Sequence, residues 1–152
     1  MSTEENKRTV RRIYDELWNE GKTEVAEEVI ACDSVNYDTG LAPMPFGPEE
    51  MNDTVRMLGA AFPDNHHAVE EVIAEGDTVV VRCTLTGTHK GEFLGIPSTG
   101  RRIEVTEIHV YRLKGGKVVE HRVGRDDLGA MHQLGVIADS VPNPGRGRAD
   151  ES

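Results

Sequence analysis

The stretch RRIEVTEIHVYRLKGGKVVEHRVGRDDLGAMHQLG, Arg101 to Gly135, decides the fold. Its first half is rich in Val, Ile and Thr, Gly115-Gly116 supplies a tight turn, and the same composition resumes as far as Arg125. Two such runs joined by a Gly-Gly dipeptide read as an antiparallel hairpin. The run Asp127 to Leu134 then predicts a short helix that closes one end of the sheet. The first strand of the hairpin carries an inconsistency. Ile103 and Val105 share a face, Ile108 and Val110 take the other, and Tyr111 and Leu113 return to the first. A single alternation cannot bury them all, so either both faces are covered, as in a dimer, or a bulge near Thr106-Glu107 resets the register.

Working outward toward the N-terminus, segments 67–74 and 78–88 have the same β-rich composition and flank the turn Glu75-Gly76-Asp77, which completes a four-stranded antiparallel meander. Before Asn65 the period is helical. Val10, Ile13, Tyr14, Leu17 and Trp18 recur on one helix face, Ser2 and Glu5 form a capping box, and Gly21 stops the helix. A second, shorter helix carries Val25, Ala26, Val29 and Ile30. Asp38 to Pro48 reads as a loop, and a third helix follows with Met51, Val55, Leu58 and Phe62 on one side. Helices first and strands afterwards make an α+β fold, with N-terminal helices packed on one face of a strongly curved antiparallel sheet. One domain is expected over residues 1–139, and the Pro- and Gly-rich residues 140–152 read as a disordered tail.

A chain of 152 residues with 37% apolar and 29% charged residues is a globular protein able to build its own core. Lys and Arg total 17 against 27 Asp and Glu, a formal charge of −10 that disfavours nucleic acid and anionic membranes as partners. No apolar run spans a bilayer and the N-terminus lacks a signal-like stretch, so a cytoplasmic protein is expected. Cys32 and Cys83 have no metal or redox spacing and are expected to stay reduced.

No phosphate-cradling glycine loop, HExxH, CxxC pair or GxSxG elbow is present, which leaves acid/base chemistry. Asp126, at a strand end, is expected to face an apolar cavity with a raised pKa and to shuttle protons, whereas Asp127 is the natural helix cap. In a regular strand Arg122 and Asp126 share one face and His121, Val123 and Arg125 the other. Arg122 then either lowers the proton affinity of Asp126 or binds an anionic group on a substrate. Glu107 and His109 lie two apart and share a face, as a coupled carboxylate and imidazole in a pocket or as an exposed pair. His66 and His67 point opposite ways with one of them solvated and no third metal ligand nearby, while His89 and His132 are expected at the surface. Tyr14, Trp18 and Phe62 have core spacing and, in a cone-shaped fold, also line a ligand cavity.

From Phe62 to Val136 the chain resembles the SnoaL-like polyketide cyclases, also called ester cyclases, of the nuclear-transport-factor-2-like superfamily. The segments THKGEFLGIPSTGR and GGKVVEHxxxxDDLGxxxQLG carry the resemblance. It implies a cone-shaped α+β barrel with a deep apolar cavity, assembled as a homodimer or homotetramer. It also implies intramolecular aldol condensation of an aromatic or polycyclic small-molecule substrate with no metal and no organic cofactor. The aspartate matching Asp126 is the general acid/base, and His109 in IHVYR is the second catalytic residue. Tyr14, Trp18, Tyr37, Phe62, Cys83, Glu107 and Arg122 are expected to line the substrate site. Where the family usually has tryptophan this chain has Cys83 and Arg122, and where it has histidine this chain has Tyr37. Those departures enlarge or polarise the pocket and place a charge beside the presumed acid. Two alternatives stand beside the cyclase: an epoxide hydrolase or ketosteroid-isomerase-like enzyme using Arg122 and Asp126, and a non-catalytic small-molecule-binding protein.

Overall fold

The computed structural model describes residues 1–38 and 42–138, so the tail expected at 140–152 lies outside the described residues. Helix α1 (Thr3–Arg12) begins with Ser2 and Glu5 in the capping box and runs into a π-helical segment, Ile13–Trp18. Helices α2 (Val25–Val29), α3 (Pro48–Ala61) and α4 (Asp127–Leu134) complete the helical set among the described residues. Strands β1 (Ile30–Asn36), β2 (Met44–Pro45), β3 (His66–Glu75), β4 (Thr78–Thr88), β5 (Arg102–Lys114) and β6 (Lys117–Arg125) form one sheet in the order β2-β1-β6-β5-β4-β3. The sheet is open, and the α+β cone expected from the sequence is the fold observed. No helix among the described residues is long and apolar enough to cross a membrane.

Three expectations are corrected. The sheet has six strands rather than four, and β1 pairs parallel with β6, so it is mostly rather than wholly antiparallel. Ile30, read as the end of a helix, starts β1, and the expected loop after Asp38 contains β2. Of the two resolutions offered for β5, the bulge near Thr106-Glu107 is absent, since β4 and β5 stay in register from Thr78 opposite Arg112 to Thr88 opposite Arg102. The parity problem dissolves because Glu107 and His109 occupy buried positions while Ile108 is 47% exposed. Ile103, Val105, Glu107, His109, Tyr111 and Leu113 all point inward. The irregularities lie instead at Glu70, an extra residue in β3 against β4, and at Val119, an extra residue in β6 against β5. The second keeps Val118, His121 and Val123 together on the buried face.

The apolar interior falls into two clusters. One gathers Val10, Tyr14, Leu17, Val81, Tyr111 and Leu113 beneath α1 and α2. The other gathers Leu58, Phe62, Leu85, Val105 and Leu134 where α4 closes the sheet. Trp18 touches both, and between them β5 presents Glu107 and His109. A core interrupted by polar groups requires each of them to find a partner.

Candidate active site

Those partners come from five elements. His109 Nε2 lies 2.9 Å from Glu107 Oε2, and His109 Nδ1 lies 2.8 Å from His121 Nε2 on β6. His121 Nδ1 in turn lies 2.9 Å from Asn36 Oδ1 at the end of β1. Cys83 on β4 directs its thiol at Glu107 Oε2 over 3.9 Å, and His67 Nε2 on β3 stands 3.7 Å from the same oxygen. Above this row the π-helical segment supplies Tyr14, whose hydroxyl meets that of Tyr111 at 2.7 Å and whose ring stands edge-on to His109. It also supplies Trp18, which covers His67 with ring centroids 4.6 Å apart. Asn19 fixes the strand beneath by bonding both the N–H and the carbonyl of His67. Phe46, just after β2, stacks on His121 at 4.6 Å and 12°.

Glu107, His109, His121 and His67 are 5%, 7%, 6% and 3% exposed, so the row is nearly dry. Burial pulls His67 down to about 4, and it pulls His121 well below the ordinary imidazole value with help from His109 and Arg125, so both rings are neutral at pH 7. Burial pushes Glu107 upward, but the hydrogen bond and charge of His109, then His67 and Arg125, outweigh it and hold the carboxyl below its ordinary value. Burial and Glu107 push the Cys83 thiol up to about 12, which makes it a donor rather than a nucleophile. Cys83, Glu107 and His109 place polar atoms within 4.8 Å of one another, and those atoms are engaged with each other, the thiol and the imidazole both directed at Glu107 Oε2.

The structure brings together Tyr14, Trp18, Cys83, Glu107 and His109 from the expected site and separates the rest. Asp126 does not face a dry hollow. It is exposed and caps α4, accepting the Gly129 N–H at 2.8 Å, and any side chain at position 129 would collide with its carboxylate. Asp127, expected to be the cap, instead sits in the first helical turn and pairs with Arg125, which also holds Asp38. Arg122 is on the outer face with its side chain 49% exposed, bonded to Glu120 and lying 4.4 Å over the Tyr37 ring. Two departures from the family pattern thus make one surface contact, and the pairing of Arg122 with Asp126 that motivated a hydrolase or isomerase is not formed. Phe62 is core, packed against Gly87, Phe93 and the ring of His89. His89, expected at the surface, is fully buried because its loop folds back so that Thr99 and Gly100 bond it. His132 is half-buried rather than exposed.

His67, His121, Tyr111 and Asn36 were missed by reading single strands. Two clefts of about 490 and 310 Å³ lie elsewhere, one between Met1 and the turns at Gly76 and Gly116 and one beside Arg102 and Gln133. Neither is the deep apolar cavity implied by resemblance, and the polar row lies packed beneath Tyr14, Trp18 and Phe46.

The family model for SnoaL-like polyketide cyclases matches residues 8–134. The chain belongs to that family. The cyclase is 37% identical over 128 residues to the aklanonic acid methyl ester cyclase DnrD of Streptomyces peucetius, spanning 83% of this chain and 88% of that one. It is 32% identical to the nogalonic acid methyl ester cyclase of Streptomyces nogalater, over 78% of this chain and 89% of the relative. Among solved structures, a SnoaL-like cyclase from Jannaschia sp. CCS1 superposes on the cyclase with a TM-score of 0.81 at 30% identity, covering 90% of this chain and 95% of the other.

Proposed function

We propose that the cyclase closes a carbocycle in the methyl ester of an aromatic polyketide acid by intramolecular aldol chemistry, using its own side chains as acid and base. The observation that carries this is the buried contact of 2.9 Å between His109 Nε2 and Glu107 Oε2. Two such atoms approach that closely only with a proton between them, so the pair is a proton store sealed from water.

Ring closure needs one proton removed and one supplied. The substrate carbon flanked by carbonyl groups gives its proton to a carboxylate, and its enolate attacks the ketone carbon. A carbon–carbon bond forms, the carbonyl π pair becomes an alkoxide, and the proton of the Glu107–His109 pair goes to that oxygen. Asp126 is the carboxylate assigned to the first step. It stands one residue beyond Arg125, which pairs with Glu107 across the ladder, and its own N–H bonds Thr106 at 3.3 Å. Because the carbon acid is already activated by its flanking carbonyl groups, a carboxylate in contact with water suffices.

The test uses aklanonic acid methyl ester and follows a product of unchanged mass and altered retention. His109→Gln and Glu107→Gln should each slow closure by about a hundredfold or more. Asp126→Asn preserves the cap while removing the base, and should slow closure comparably. Near-native turnover in both His109→Gln and Glu107→Gln would overturn the assignment of the buried pair.

A further inference from the structure

We infer that Asn36 and His121 are positioning residues that fix the tautomer of His109 and so decide which of its nitrogens carries the transferable proton. The inference rests on the reading of His109 and Glu107 as the acid, and it extends the functional unit across the sheet to β1. An amide oxygen can only accept, so Asn36 Oδ1, 2.9 Å from His121 Nδ1, requires a proton on that nitrogen. Neutral His121 then presents a lone pair at Nε2, which accepts from His109 Nδ1 at 2.8 Å. The Nδ1 proton of His109 is thereby committed, and only the proton between Nε2 and Glu107 Oε2 can leave. With both imidazoles anchored this way the buried chain carries that one additional proton, which renders the His109–Glu107 pair neutral as a whole.

The scaffold holds the chain in place. Asn36 and His121 are register partners in the parallel β1–β6 ladder, and His121 faces Tyr111 in the antiparallel β5–β6 ladder. The His121 ring lies between Phe46 and Tyr111, at 4.6 and 4.9 Å, which removes its freedom to turn over. The Tyr37 N–H also bonds the His121 carbonyl at 2.9 Å, tying the end of β1 to that residue. A wrong tautomer in such a chain is expensive, as in hydrolytic triads whose third member is altered.

The test has two arms that can fail separately. In the resting protein labelled with ¹⁵N-histidine, ring nitrogen shifts should show His121 protonated at Nδ1 and bare at Nε2, with His109 protonated at Nδ1. A His121 protonated at Nε2 overturns the inference whatever the activity. In the second arm Asn36→Asp keeps an acceptor and Asn36→Leu removes it. Asn36→Asp should retain the tautomer and most of the ring-closure rate, while Asn36→Leu should lose the fixed tautomer and at least about tenfold in rate without a matching rise in KM. Equal loss of rate and tautomer in both variants also overturns it. Fixed tautomers combined with a His109→Gln variant of full activity would instead sink the functional reading and leave the hydrogen-bond chain standing.

Discussion

The inner face of β5 and the junction of β6 with α4 carry the same kinds of group and handle them in opposite ways. Along β5, Glu107 and His109 are nearly inaccessible to water and are satisfied by each other, His121 and Cys83. At the junction, Arg125 bridges Asp38 and Asp127, and Asp126 is committed to a backbone N–H. Burial rather than residue type separates the two. A carboxyl group in the dry row shares a proton, whereas its counterparts at the junction cap a helix and hold an ion pair.

The sharpest way to break this contrast is His109→Leu. It leaves the Glu107 carboxylate in the interior without its donor and should lower the unfolding free energy by about 3–5 kcal/mol, read by urea denaturation. A loss below about 1 kcal/mol would mean that water reaches the row. Acid is the next probe. Because the native pKa of His67 is depressed, the unfolded chain takes up a proton between about pH 6.5 and 4 that the native one refuses, so stability falls as pH drops through that window. The share of His67 is about 3 kcal/mol at most, His121 adds to it in the same direction, and His67→Phe should flatten the slope. At the junction the expected effects shrink. Asp126→Ala should cost about 1 kcal/mol and Asp126→Asn a few tenths, because asparagine caps equally well. Arg122→Ala should change stability by less than about 0.5 kcal/mol, its ion pair being half in solvent, and should leave the closure rate unaltered.

The strands from β4 to β6 and the closing helix were legible because Val, Ile and Thr runs alternate with Gly-containing turns. Strand β1 was not. Its sequence IACDSVN buries only Ile30 and Ser34, which gives neither a period of two nor a hydrophobic run, and Ile30 continues the spacing of the helix before it. Glu107 and His109 could be paired from one strand, since residues two apart share a face. His67, His121 and Asn36 join them only across ladders whose registers depend on the extra residues Glu70 and Val119 and on a parallel pairing. Asp126 was legible only in part: position at a strand end suits a cap and a catalytic group alike, and the glycine three residues on is the sign of the cap.

The π-helical turn at Ile13–Trp18 has an evolutionary corollary. Such a turn accommodates one more amino acid than regular winding, and each residue of an α-helix advances by about 100°. Loss of a single codon there would let the helix rewind, swing the indole off the imidazole beneath it and unclasp Asn19 from the neighbouring strand. Lineages of this gene should therefore tolerate length changes in surface turns far more readily than in this one coil.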